Sequence, residues 1–186
     1  MLNVAPTVDK LLAGWQPHDV LGPFDDRAYR LVLDPRHGDW LTSLRQHYRL
    51  AWCTTWWRVA DQRIAPLLGL TPLRHAVPLP PTPAAHHVDA DVSAKTPHVR
   101  AWANGAPLAW IDDDIDQRDA DALLAPAPDD TRPPSTTPCS DVLLLRTDPA
   151  EGLQPHHVDR LLSWTPRTHA DATPPDPTEH PERHAR

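Results

Sequence analysis

Val142-Leu143-Leu144-Leu145 is an unbroken apolar run, entered from Asp141 and left through Arg146. A strand with one wet face alternates apolar and polar residues, so an unbroken run is typical of a strand covered on both faces. A second run, Pro107-Leu108-Ala109-Trp110-Ile111, ends in Asp112, Asp113 and Asp114, and a helix-like segment follows at once. Two short buried strands, each followed by a helical pattern, point to an α/β chain with a parallel sheet and helices on both faces.

The remaining segments fit the same alternation. Arg27 to Leu33 reads as a strand, one arm of a hairpin. Asp34-Pro35 opens a helix to about His47, the acid capping and the proline sitting in the first turn. Arg49 to Thr55 reads as a strand. Ala60 to Leu68 reads as a helix stopped by Gly69, and Leu73 to Leu79 as a short strand. Thr96-Pro97 starts a helix through Ala103 that Asn104-Gly105 ends. Helices are also expected from Asp116 to Leu124 and from Pro155 to Trp164. No internal repeat is visible.

Prolines set the boundaries. The chain of 186 residues holds 24 of them, clustered at 78–83, at 126–138 and after 166. Residues 1–164 therefore read as one domain with proline-rich loops at 78–94 and 126–140, and residues 165–186 as a disordered tail. A net charge of -7 offers no broad basic surface for wrapping nucleic acid. Cys53 and Cys139 read as reduced thiols, Cys53 lying within an apolar run. No stretch approaches the roughly 18 apolar residues of a membrane span, and the first residues, with Asn3, Pro6, Asp9 and Lys10, lack the plan of a signal peptide. A cytoplasmic protein is expected.

Chemistry would gather at the strand ends, because open α/β sheets collect ligands outside the carboxyl ends of their strands. Carboxylates packed at Asp112–Asp114 repel one another unless a cation is shared, and magnesium, held by one or two carboxylates plus a substrate phosphate, would resolve the conflict. The plainer reading is that Asp113, Asp114 and Asp116 cap the next helix. Thr54 and Thr55 end another expected strand, where a hydroxyl can hydrogen-bond a phosphoryl oxygen without adding charge. Lys95 is one of only two lysines against sixteen arginines; its compact ammonium suits a point contact to a phosphate or a carboxylate cluster. His86-His87 and His156-His157 are adjacent pairs whose side chains should diverge, without zinc-like spacing. The tryptophans read mainly as core, with Trp56 or Trp57 near the threonines.

Threonine, lysine and an aspartate cluster, in that order at the edges of α/β units, resemble motifs two, three and four of the haloacid dehalogenase (HAD) superfamily. The segments are Trp52-Cys53-Thr54-Thr55-Trp56, Ile64-Ala65-Pro66-Leu67-Leu68-Gly69-Leu70, Lys95-Thr96-Pro97 and Trp110-Ile111-Asp112-Asp113-Asp114. They are similar to the small HAD-like domains of GC-rich bacteria related to those of RNA-repair proteins, over roughly residues 24–164. The resemblance implies a three-layer Rossmann-like parallel sheet and a magnesium-dependent phosphohydrolase working through an aspartyl-phosphate. Thr54 would hold the phosphoryl group, with Thr55 the second choice. Lys95 would stabilise the intermediate, and Asp112 would reach Mg2+ directly or through water with Asp113 in support.

The superfamily's nucleophile stands in a D-x-D-G motif ending the first, central strand, and no such motif occurs here. Asp25-Asp26 and Asp9 do not follow an apolar strand. Leu2-Asn3 match the residues after that motif in relatives, so Met1 is expected to stand where a valine codon was taken as the start, with strand one upstream. The sheet would then lack its first central strand, and the chain as given would be inactive. The alternative is a non-catalytic HAD-like module binding a phosphorylated ligand or a partner. A small phosphorylated substrate is expected, with a nucleotide or RNA end the only nucleic acid considered; its identity and the oligomeric state stay open.

Overall fold

The computed structural model describes residues 8–23, 27–80, 92–126 and 137–166. It is a mixed α/β fold built on one antiparallel and one parallel strand pair. Helix α1 (Val8–Leu12) leads into a hairpin of β1 (Gln16–Leu21) and β2 (Ala28–Leu33), with Gln16 opposite Leu33 and Leu21 opposite Ala28. Helix α2 (Arg36–Leu44) follows, then a broken helical turn over 60–68. Helix α3 (Thr96–Ala103) precedes β3 (Leu108–Asp112), and α4 (Gln117–Leu124) follows it. β4 (Val142–Arg146) pairs in parallel with β3, and α5 (Pro155–Ser163) closes the described chain. Both runs of buried apolar residues thus became the parallel pair. The expected loop at 78–94 and the second at 126–140 lie partly, and the tail almost wholly, outside the described residues. Among the described residues no helix is long and apolar enough to cross a membrane.

Three expectations are corrected. The expected strands 49–55 and 73–79 meet in a single parallel bridge, Trp52 with Ala76. Pro72 and Pro78 flank the second segment and cannot donate to a ladder, and Arg74 within it has φ +63, left-handed backbone incompatible with a strand. The expected helix 60–68 is a π turn, Ala60–Ile64, running into a 3-10 turn, Ala65–Leu68. Pro66 lacks the N–H that an α-helix would direct at the carbonyl of Gln62, so the ladder slips there. Gly69 ends it as expected, at φ +65. Helix α2 stops at Leu44, and residues up to Tyr48 continue only as turns onto the Leu41, Ser43 and Leu44 carbonyls.

Asp61, which the sequence did not single out, clips three segments together. Its carboxylate accepts from Trp52 Nε1 at 2.6 Å, the Leu73 amide at 2.8 Å and the Arg74 amide at 2.9 Å. Burial alone would push its carboxyl up, but these donors hold it below the usual carboxylate range. Asp61→Ala leaves the three donors unmatched and should cost about 1.5–3 kcal/mol in a denaturant titration. A cost within about 0.5 kcal/mol, the range of an ordinary surface change, would show that water replaces the clip.

His37 is fully buried in α2 between Trp15 and Trp40, with ring centroids at 5.4 and 5.5 Å. Its Nε2 lies 3.2 Å from the Leu153 carbonyl and donates to it in the neutral tautomer, while Nδ1 has no partner among the described residues. Burial lowers its pKa below the ordinary 6.5, although Asp34 and the Leu153 carbonyl pull the other way. The unfolded chain then binds the proton more readily than the native one, so stability rises with pH through this window. Acidification below about pH 6.5 should therefore weaken the fold. His37→Gln, which keeps a donor for Leu153, should flatten the stability–pH curve between pH 5 and 6.5. An unchanged slope would place the acid sensitivity elsewhere.

Candidate functional site

Strand β3 carries the aspartates to its carboxyl end, and each then takes a different role. Asp112 is 5% exposed and Asp114 is exposed. Asp112 Oδ1 accepts the Asp113 amide at 3.0 Å and, more loosely, the Asp114 amide at 3.4 Å; its Oδ2 meets Lys95 Nζ at 2.6 Å. Capping falls to Asp116, which accepts the Arg118 amide at 2.8 Å and begins α4. The plain capping account thus holds for Asp116; Asp112, which it did not cover, takes its partner from 17 residues upstream.

Lys95 reaches Asp112 because its turn is anchored from below. Asp119, 2% exposed in the first turn of α4, accepts the Ser93 amide at 2.8 Å, the Thr96 hydroxyl and the Asp116 amide at 2.8 Å. It locks the start of α3, and so Lys95, to the same turn that follows β3. The sequence reading missed Asp119. Its signal was the spacing Asp116-x-x-Asp119, an acidic version of the capping box.

Burial disfavours the Lys95 cation, yet the Asp112 carboxylate beside it outweighs this and raises its pKa. Burial likewise pushes Asp112 up, and Lys95 more than reverses it, so the pair is ionised. Asp113 is held above the usual carboxylate range by burial and by its side-chain hydrogen bond to Asp112. Cys53 sits close by: burial pushes its thiol up to about 12, Lys95 drawing it back in part and Asp112 adding to the rise. It is a neutral thiol and no nucleophile at neutral pH.

Thr54 and Thr55 follow Cys53. The Thr54 hydroxyl accepts the Trp56 amide at 3.3 Å and its carbonyl accepts the Trp57 amide at 3.1 Å, turning the chain sharply; Trp57 has φ +48. Thr54, Thr55, Lys95, Asp112, Asp113 and Asp114 all line one cleft of about 1160 Å3. Trp56 lines it too, its ring edge-on to Tyr29 at 5.5 Å. The expected site residues, drawn from segments up to 60 residues apart, therefore line the same cleft.

The paired His156 and His157 do not line the cleft. The rings of His156 and His157 lie 3.9 Å apart instead of diverging, because His157 turns back to accept the Gln154 amide on Nδ1 at 3.0 Å and caps α5. His86-His87, like Asp25-Asp26, lie outside the described residues. Among the described residues no cluster of three or more His, Cys, Asp or Glu side chains forms a metal site. No family model, curated protein or solved structure matches the chain.

Proposed function

We propose that this chain is a HAD-like phosphohydrolase domain, with a three-layer sheet in its complete form, whose phosphoryl and magnesium site is the mouth of the cleft at Thr54, Lys95 and Asp112. The observation that carries the reading is convergence. A hydroxyl, an ammonium and a carboxylate chosen from sequence order alone line one cleft, two of them 2.6 Å apart.

The donor set fits magnesium. Asp112 and Asp113 are hydrogen-bonded to each other through their side chains, and burial together with that bond holds the Asp113 carboxyl above the usual carboxylate range. Such a pair is what a divalent cation replaces, and magnesium asks for only one or two carboxylates, water and phosphate completing its shell. Asp112 would hold the ion with Asp113 in support; when bound, it would neutralise charge on a phosphoryl group. Thr54 would donate its hydroxyl to a phosphoryl oxygen. Lys95, held in place by Asp119 through Ser93 and Thr96, would supply fixed positive charge with little reorganisation. The superfamily's carboxylate nucleophile has no D-x-D-G match in residues 1–186, so these residues bind and orient a phosphorylated small molecule without turning it over. That same observation favours the second reading, a binding module without catalysis.

Calorimetry with Mg2+ and inorganic phosphate tests the site directly. Each should strengthen binding of the other, and Asp112→Asn should remove the coupling while leaving the chain folded by circular dichroism. Absence of binding by either ion to the wild-type chain would overturn the assignment. Hydrolysis of p-nitrophenyl phosphate by a chain extended upstream, and not by residues 1–186, separates the enzyme from the binding module.

A further inference from the structure

Trp56 and Trp57 are neighbours in the chain but join different parts of the interior. Trp57 packs against the cluster of Val77, Val99 and Trp110, whereas Trp56 packs against that of Val20, Leu31 and Leu33. Trp56 alone of the two lines the cleft. The backbone between them is strained. Trp57 has φ +48, left-handed backbone that a bulky side chain disfavours and that persists only where surrounding contacts over-determine it.

Those contacts are visible at Trp56. Its amide donates to the Thr54 hydroxyl at 3.3 Å, and its carbonyl accepts the Val59 amide at 2.9 Å, so both of its peptide groups are fixed. Because the Thr54 hydroxyl accepts in this turn, its own proton stays available to a ligand. Tyr29 braces the indole from the hairpin, the two rings meeting at 71° with centroids 5.5 Å apart. A T-shaped contact of this kind covers at most one face of the indole. Tyr29 is itself 38% exposed, so the aromatic pair runs from the cleft wall out to the surface.

Core packing does not account for Trp56 by itself. Trp15 and Trp110 are covered to within a few per cent, whereas Trp56 is half-buried. It also stands where the chemistry is. Residue 53 lies within electrostatic reach of Lys95 and Asp112, and Trp56 follows in the turn beyond it, at the mouth whatever lies deeper in the cleft. Two residues of chain span at most about 7 Å, so Thr54 and Trp56 are within reach of one small molecule. The wall around the indole is Leu31, Leu33 and Ile64. It offers no polar side chain to the hydroxyls of an open polyol, and suits a flat, weakly hydrated ring that can stack.

We propose, resting on the phosphate reading of the mouth, that Trp56 is the platform for an aromatic ring on the phosphorylated ligand. The ligand class is then a phosphate monoester bearing a flat ring, an aryl phosphate or a nucleoside monophosphate. Its ring stacks on the indole while its phosphoryl group meets Thr54.

The test is calorimetry of the full 186-residue chain in Mg2+ with four probes: inorganic phosphate, glycerol phosphate, phenyl phosphate and adenosine monophosphate. A ring-bearing ester should bind about tenfold or more tighter than glycerol phosphate, and its ring protons should move upfield in the NMR spectrum, the signature of a ring lying over an indole. Tighter binding of adenosine monophosphate identifies a nucleotide, and tighter binding of phenyl phosphate an aryl ester; either supports the platform. In Trp56→Leu the ring's advantage and the upfield shift should both be lost, and Trp56→Tyr should restore them. Should Trp56→Leu fail to fold, the wild-type selectivity and the upfield shift still decide. Phosphate binding with no preference for a ring overturns the platform and leaves the phosphate site standing. A ring preference that survives in a folded Trp56→Leu overturns the assignment to Trp56. Absence of binding by all four probes overturns the platform and the phosphate site together.

Discussion

Lys95→Met should cost about 3–5 kcal/mol of stability, the usual penalty for leaving a buried carboxylate without its partner. The Lys95 side chain is 18% exposed and that of Asp112 6%, so water cannot take over the ammonium's role. The Asp113 and Asp114 amides would still bond Asp112 Oδ1, which keeps the loss within that range. The double variant Lys95→Met with Asp112→Leu should recover most of the loss, since a buried ion pair replaced by apolar residues is often neutral. Urea titration of the single and double variants measures the coupling. Equal stability of Lys95→Met and wild type would show that the pair is solvated. The window follows from the two shifts. Asp112, lowered from 3.8, contributes at higher pH and loses that contribution as pH falls below 3.8. Lys95, raised from 10.5, contributes at lower pH and loses it as pH rises past 10.5.

Gly38→Ala should be the most damaging single methyl group in the described chain. A Cβ at Gly38 would lie 1.8 Å from the Leu68 carbonyl oxygen. The obstacle is backbone, held by the 3-10 turn and its Gly69 stop, so no side-chain rotation relieves it. On an open helix the same change would stabilise by about 0.4–1 kcal/mol through the unfolded chain. Here overpacking of about 3 kcal/mol is expected, a fall in melting temperature of roughly 6–12 °C. The sign alone decides: a stabilised variant would mean that α2 and the 65–68 turn are not in contact.

What could be read from sequence follows which signals are local. The runs at Leu108–Ile111 and Val142–Leu145 are strands because burial on both faces writes itself as unbroken apolarity. Asn104, at φ +46, ends α3 where its short side chain tolerates left-handed backbone. Residues 73–79 failed because a strand needs a partner along its length, and alternation says nothing about whether one is present. Thr54, Lys95 and Asp112 were singled out by their order and residue type, and the fold sets all three on one cleft. Asp61 and Asp119 were not, since each holds together segments that local patterns treat as unrelated.

The position of α2 bears on how the molecule comes apart. Cooperativity arises when elements share a core, so that none can melt without exposing its neighbours. Leu41 of α2 packs both against the cluster of the hairpin and the 60–70 turns and against that of β4 and α5, so one helix ties the two together across the cleft. A calorimetric trace of residues 1–186 should therefore show a single sharp transition. Leu41→Ala should broaden it, its van't Hoff enthalpy falling below the measured heat, which makes the breadth of melting a gauge of how far the two clusters unfold as one.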